Sequence, residues 1–244
     1  MVGKKSVSSF LIVALTGGLI GCTSPFAPLP EATSELNSTD SCKAPSGISN
    51  SPKTIEEALS LVNSLPKPVT VPCFLASLAR PLKMSLTNNI LSAQPANGDR
   101  SPRVFIINDN LLISVVPEGV GQDLVEFSLV TAPDRSIKAE IEFPVLDILP
   151  ADAPYKQVLL GAGTICRSCH GGETRATQVT FAEAYESKAF QPPMGSKVDI
   201  EAFRAEVALC DPKVEKKRCE IIDALFNNGA VQSEDFPADM PYFF

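Results

Sequence analysis

Tryptophan is absent from the 244 residues, tyrosine occurs three times, and there is a single histidine, His170. One imidazole excludes any site in this chain that needs a histidine pair, zinc sites of that kind included. Basic residues are also scarce, 21 Lys and Arg against 28 Asp and Glu, for a net charge of −7. Binding to nucleic acid needs a basic face, so no nucleic-acid partner is expected. The apolar stretch from Val7 to Ile20 is too short and too rich in glycine for a membrane span, which takes about 20 apolar residues. What remains is the composition of an ordinary globular protein, 44% hydrophobic and 20% charged, with 21 prolines that imply many turns.

That apolar stretch follows Lys4 and Lys5 and ends in Leu19-Ile20-Gly21-Cys22. A short basic region, an apolar core and small residues before a break make an export signal. The closing tetrad resembles the lipobox of bacterial lipoproteins, in which the cysteine is lipidated and becomes the first residue. The expectation is a signal peptide over 1–21, a lipid anchor on Cys22 and a place in the bacterial cell envelope. Thr23 after the cysteine, where an inner-membrane retention signal would have aspartate, favours the outer membrane. Losing Lys4 and Lys5 takes the basic residues from 21 to 19 against 28 acidic, a net −9. Residues 22–53 then read as a tether, because Thr23 to Ser41 is rich in Ser, Thr and Pro and has no periodicity.

Of seven cysteines, Cys22 is assigned to lipid, and Cys166 and Cys169 belong to Cys166-Arg167-Ser168-Cys169-His170. This Cys-x-x-Cys-His run is the signature of c-type haem attachment. Positions i and i+3 share a helix face, so two thiols there can each add to a haem vinyl group while His170 presents its imidazole to the iron. Attachment follows export, so the signal peptide and the motif support each other. A zinc site would need a second ligand pair, and a thioredoxin-like redox site would need a βαβ setting; neither surrounds the motif. The other four cysteines can pair three ways in an oxidising compartment. Cys42–Cys73 and Cys210–Cys219 keep each bridge within its own stretch of chain, provided the chain turns at Asp211-Pro212.

Thr54 and Glu57 form a capping box ahead of an amphipathic helix with Ile55, Ala58, Leu59, Val62 and Leu65 on one face. Strands are expected at Arg103 to Asn108, Leu111 to Val116, Leu124 to Thr131 and Ser136 to Phe143, separated by turn residues, as an antiparallel meander. In the last of them Ile137, Ala139, Ile141 and Phe143 face one way and Lys138, Glu140 and Glu142 the other, and no site constellation shows in these strands. From about Asp152 the pattern is helical: a capping box at Thr180 and Glu183, a helix with Ile200, Phe203, Val207 and Cys210 that Ser196 could cap, and another with Val214, Ile221, Ile222, Leu225 and Phe226 stopped by Asn227-Asn228-Gly229. These apolar residues are candidates for the wall of a haem pocket as well as for ordinary core.

The region from 152 to 244 resembles the class I c-type cytochrome domain in three pieces: Cys166 to Gly171 as C-x-x-C-H-G, Asn228-Gly229 at a helix end, and Met240-Pro241-Tyr242-Phe243. The resemblance implies one covalent haem c with His170 and Met240 as axial ligands; Met194, in Gln191-Pro192-Pro193-Met194-Gly195, is the alternative. It departs from that family after the methionine, where a C-terminal helix is normally found, and a segment such as Ile55 to Leu65 would have to take its place. The Leu65 to Leu82 stretch and the strands after it also resemble uncharacterised proteobacterial haem c lipoproteins, a likeness that implies no activity. The expected fold class is therefore α+β: an N-terminal helix with an antiparallel meander over 54–150, then an all-α cytochrome c-like domain over 151–244. The expected function is electron transfer to an unknown redox partner protein. The alternatives are an envelope binding or sensor module and a peroxidase-like haem enzyme with an open sixth position.

Overall fold

The computed structural model describes residues 42–243; the signal peptide, Cys22 and most of the tether lie outside the described residues. Helix α1 (Ile55–Ser64) begins where Thr54 Oγ1 accepts the Glu57 amide, while the Glu57 carboxylate accepts the Lys53 amide at 2.7 Å. Its buried side chains are Ile55, Ala58, Leu59, Leu61 and Val62, an i, i+3, i+4, i+7 stripe with Leu61 beside it. A second helix, α2 (Val71–Ser77), opens with Thr70 as N-cap and Pro72 in its first turn, a position where a missing amide costs nothing. The Cys42–Cys73 disulfide, with Cα atoms 5.2 Å apart, fastens the start of the described chain to α2.

Strands β1 (Leu82–Thr87), β2 (Arg103–Asn108), β3 (Leu111–Val115), β4 (Leu124–Ala132) and β5 (Arg135–Glu142) pair antiparallel in succession. The β2–β3 hairpin turns through Asp109, whose φ of +53° is a left-handed conformation that aspartate tolerates. Alternation then separates two faces. Val104, Ile106, Leu111, Ile113, Val115, Val125, Phe127, Ile137, Ala139 and Ile141 belong to the main core. Phe127 meets Phe74 of α2 edge-on at 6.2 Å. Burying a ring such as that of Phe74 contributes about 2–3 kcal/mol.

After β5 come α3 (Ala153–Gln157), α4 (Arg167–His170), β6 (Thr174–Arg175), β7 (Tyr185–Lys188), α5 (Ile200–Leu209), α6 (Lys216–Phe226) and β8 (Val231–Ser233). The sheet has eight strands in the order β6-β7-β5-β4-β3-β2-β1-β8, with β8 parallel to β1 and every other pair antiparallel. This overturns the expected fold class. Residues 151–244 do not make an all-α domain; they supply short helices and both outer ends of the sheet that 82–142 begin. The physical reason lies at the sheet edges. The meander leaves the ladder groups of β1 and β5 open, and β8 and β7 complete them.

Other local expectations change with it. No helix follows Thr180; the segment runs into β7. Asp199, not Ser196, caps α5, accepting the Ala202 amide at 2.9 Å. Val214 precedes α6 and is 81% exposed. Ile200, Phe203, Ile221, Ile222, Leu225 and Phe226 are in the main core, not around a haem pocket. The chain does turn between α5 and α6, so Cys210 and Cys219 pair with Cα atoms 5.6 Å apart.

Candidate functional site

Cys166 is the N-cap residue of α4, and its carbonyl accepts the amides of Cys169 and His170 at 3.2 and 2.9 Å. The single turn leaves both cysteines as thiols, while the other four described cysteines are bridged. Four hydrogen bonds hold this turn. Thr164 Oγ1 accepts the Cys166 amide at 3.1 Å and itself donates to Glu173. Arg135 donates to the Gly172 carbonyl at 2.8 Å and to the Glu186 carbonyl at 2.9 Å, tying the exit of the turn to β7. Gly172, at φ +63°, makes the reversal from α4 into β6.

The imidazole of His170 is fixed by β7. Its Nδ1 lies 2.8 Å from the Lys188 carbonyl. A carbonyl only accepts, so Nδ1 carries the proton and Nε2 keeps a bare lone pair. Phe190 stacks on the ring at 5.8 Å. Burial holds the imidazole neutral, its pKa pushed down to about 3, with Lys138 adding to the shift and the Lys188 contact opposing it. A neutral imidazole with one nitrogen oriented by a backbone acceptor is the form that binds a metal.

Cys166, Cys169 and His170 line a cleft of about 1100 Å³ measured out to its open mouth. Leu91, Ala93, Phe105, Leu112, Ile165, Phe190, Pro192 and Phe243 supply apolar surface to it. The other wall is the second face of the meander: Arg103 and Phe105 from β2, Leu112 and Ser114 from β3, Glu126 and Ser128 from β4, Lys138 and Glu140 from β5. Register puts Glu126 opposite Glu140 and Ser128 opposite Lys138. Arg103 pairs with Glu126 at 2.5 Å and donates to Ser114 at 2.8 Å, and Lys138 donates to Ser128 at 2.8 Å. Burial pushes the Lys138 ammonium down to about 8, against the pull of Cys166 and Glu126. Burial, then the facing Glu126, pushes the Glu140 carboxyl up to about 7, with Arg103 opposing.

The Glu140 shift gives a pH-dependent prediction. The folded chain keeps this proton up to about pH 7, whereas an ordinary glutamate releases it near 4.5. The folded state therefore binds more protons in that window, and stability falls as pH rises through it. Glu140→Gln is neutral throughout. It is expected to match the wild-type melting temperature at pH 4.5 and exceed it at pH 8; an offset that does not change with pH would remove Glu140 as its source.

The methionines sit elsewhere. Met240 is 2% exposed, packed with Ile107, Leu112, Ala189 and Phe236. It is outside the cleft lining, although its carbonyl accepts the side-chain amide of Gln191, which is a lining residue. Met194 is 80% exposed and also outside the lining. Sequence reasoning missed the sheet wall. The alternation of Lys138 and Glu140 with Ile137, Ala139 and Ile141 was its only signal, and it reads equally well as a solvated face.

No family model matches the chain, and neither does any curated protein or solved structure. The chemistry of the donors decides what the site fits. A thiol–disulfide catalyst needs a thiol with a lowered pKa, whereas burial pushes Cys166 up to about 11. Among the described residues no three His, Cys, Asp or Glu side chains are grouped to hold an ion by themselves. Two thiols on one helical turn, one oriented neutral imidazole and a cleft with an apolar lining fit a planar, iron-bearing macrocycle held covalently.

Proposed function

We propose that this chain is a lipid-anchored envelope protein carrying one covalent haem c, with Cys166 and Cys169 as the thioether residues and His170 as an axial ligand. The observation that carries this reading is the His170 Nδ1 contact to Lys188, which leaves Nε2 free in the same cleft as both thiols. The bound haem would supply an iron able to exchange one electron or to coordinate a small molecule. The chain's own residues do the rest. Lys188 sets the tautomer, Phe190 shields the imidazole, and Leu91, Phe105, Leu112 and Ile165 exclude water from the macrocycle. Anchoring at Cys22 rests on the lipobox-like tetrad.

The charged residues in the cleft favour a ligand-binding use, as a sensor or a haem enzyme with an open sixth position. Charges withdrawn from water are costly unless paired and hydrogen-bonded. Of the four ionisable groups on the cleft wall, Arg103 pairs with Glu126, whereas Lys138 and Glu140 have no ion-pair partner among the described residues. Electron transfer with Met240 as the sixth ligand is the second reading, favoured by the Gln191 hydrogen bond that holds Met240 next to the lining.

The test uses the full chain taken from membranes. Its mass is expected to include one haem and a diacylglyceryl group on Cys22, and acid acetone should leave the haem on the protein. A high-spin ferric spectrum supports the ligand-binding use; a low-spin spectrum with a methionine–iron charge-transfer band supports the carrier. Freely extracted haem, stoichiometric zinc, or a soluble chain with an unmodified N-terminus would overturn the corresponding part.

A further inference from the structure

The polar wall of the cleft contains more hydrogen-bonding capacity than the described residues use. Lys138 has three N–H donors, and its one described hydrogen bond is to Ser128. Glu140 is 5% exposed, and no described residue hydrogen-bonds its carboxyl. Glu126 Oε1 is buried without a partner, its other oxygen being taken by Arg103. Buried polar groups in folded proteins are almost always paired, so a cluster of spare ones on one cleft wall calls for a polar guest.

The arrangement also indicates the sign of that guest. Glu126 is neutralised by Arg103 at 2.5 Å. Lys138 is the next residue along that face of β5 from Glu140, has no ion-pair partner among the described residues, and lines the same cleft as Cys166, Cys169 and His170. A cation without a carboxylate partner therefore stands on the wall of the cleft that also contains the Cys166–His170 turn.

Resting on the haem reading above, we propose that Lys138 is the ligand-recognition residue of the cleft, donating a charge-assisted hydrogen bond to a small inorganic anion that the haem iron would bind. Ser128 is its positioning residue: its Oγ takes one N–H of Lys138 and leaves the other two for the ligand. Arg103 stays bound to Glu126, Ser114 and Ser92 through its two Nη groups, and its buried Nε has no partner among the described residues.

Azide is the probe. Ferric full-length protein is titrated with azide in the Soret region, for wild type, Lys138→Met and Ser128→Ala. Haem content of each preparation is measured as the pyridine haemochrome, and the C–O stretch of the ferrous carbonyl adduct is recorded by infrared. Lys138→Met is expected to keep its haem, to bind azide roughly tenfold to a hundredfold more weakly, the worth of a hydrogen bond to a charged group, and to raise the C–O frequency by removing a positive field. Ser128→Ala should move both readouts the same way by less. A merely structural lysine would leave the carbonyl stretch where it is. Haem retained with azide affinity and C–O frequency unchanged in Lys138→Met would overturn this assignment and leave the haem reading standing. So would a wild-type iron with a protein ligand that azide does not displace. Absence of covalent haem from wild type would overturn both.

Discussion

Protein carrying Cys166→Ser together with Cys169→Ser is expected to leave the cell with no covalently bound haem, a complete loss against one haem per wild-type chain. Each thiol forms one carbon–sulfur bond, its sulfur adding to one carbon of a vinyl group and its proton to the other, so the step needs no oxidant. The two thiols lie three residues apart on the one turn that Thr164, Glu173 and Arg135 hold in place. Either single serine should leave one thioether and a haemochrome band displaced from the two-thioether position. His170→Ala removes no sulfur and should lower haem yield without changing the band of what remains. The readout is the pyridine haemochrome of denatured, acetone-washed protein. Equal haem on the double serine variant would show that the attachment lies elsewhere in the chain.

The helical turn that groups both thiols with the imidazole was legible because the three fall within five consecutive residues. The four central strands were legible for a similar reason, since a period of two repeated over five to nine residues stands out against the turn residues between. The architecture of 151–244 was not. Strand β6 has two residues and β8 three, too few for any period to show. Their strand state comes from pairing with distant chain, as when Val231 joins Leu82. The Thr180 and Glu183 pair has the spacing of a capping box, but the edge of β5 takes Glu186 to Lys188 into the sheet, so tertiary pairing overrides the local preference. Strand β1 did have a signal that went unused: Leu82, Met84 and Leu86 alternate with Lys83, Ser85 and Thr87, a period of two, although all but Lys83 are buried. The site shows the same limit. Alternation in β5 says that Lys138 and Glu140 share a face; it cannot say whether that face meets water or a cleft, which depends on where α4 and Phe190 lie.

The packing of α5 and α6 depends on one side chain that the sequence pattern treats as an ordinary surface residue. Arg218 is 2% exposed. Its five N–H groups are all used: Nε donates to Ser101 Oγ at 2.8 Å, Nη1 to Glu215 at 3.0 Å and to the Cys210 sulfur at 3.4 Å, and Nη2 to Glu206 at 2.7 Å and to the Arg100 carbonyl at 2.6 Å. These contacts fasten the residues just before β2 to α5 and α6. Removing one partner of a buried ion pair leaves the other charged and unpaired, which costs about 3–5 kcal/mol. Arg218→Ala is therefore expected to lose about that much in urea unfolding at pH 7, on the order of 10 °C in melting temperature for a domain of this size. Lys197→Ala removes an exposed pair with Asp235 and should cost no more than about 1 kcal/mol. The cause is separable from lost volume. In Arg218→Met with Glu206→Leu no buried carboxylate is stranded at position 206, and Arg100, the other partner of Glu206, is exposed enough to be hydrated; most of the stability should return. If the double variant is as unstable as Arg218→Ala, the arginine acts through packing and not through charge, and if Arg218→Ala costs less than about 1 kcal/mol, water reaches Glu206 when the guanidinium is gone.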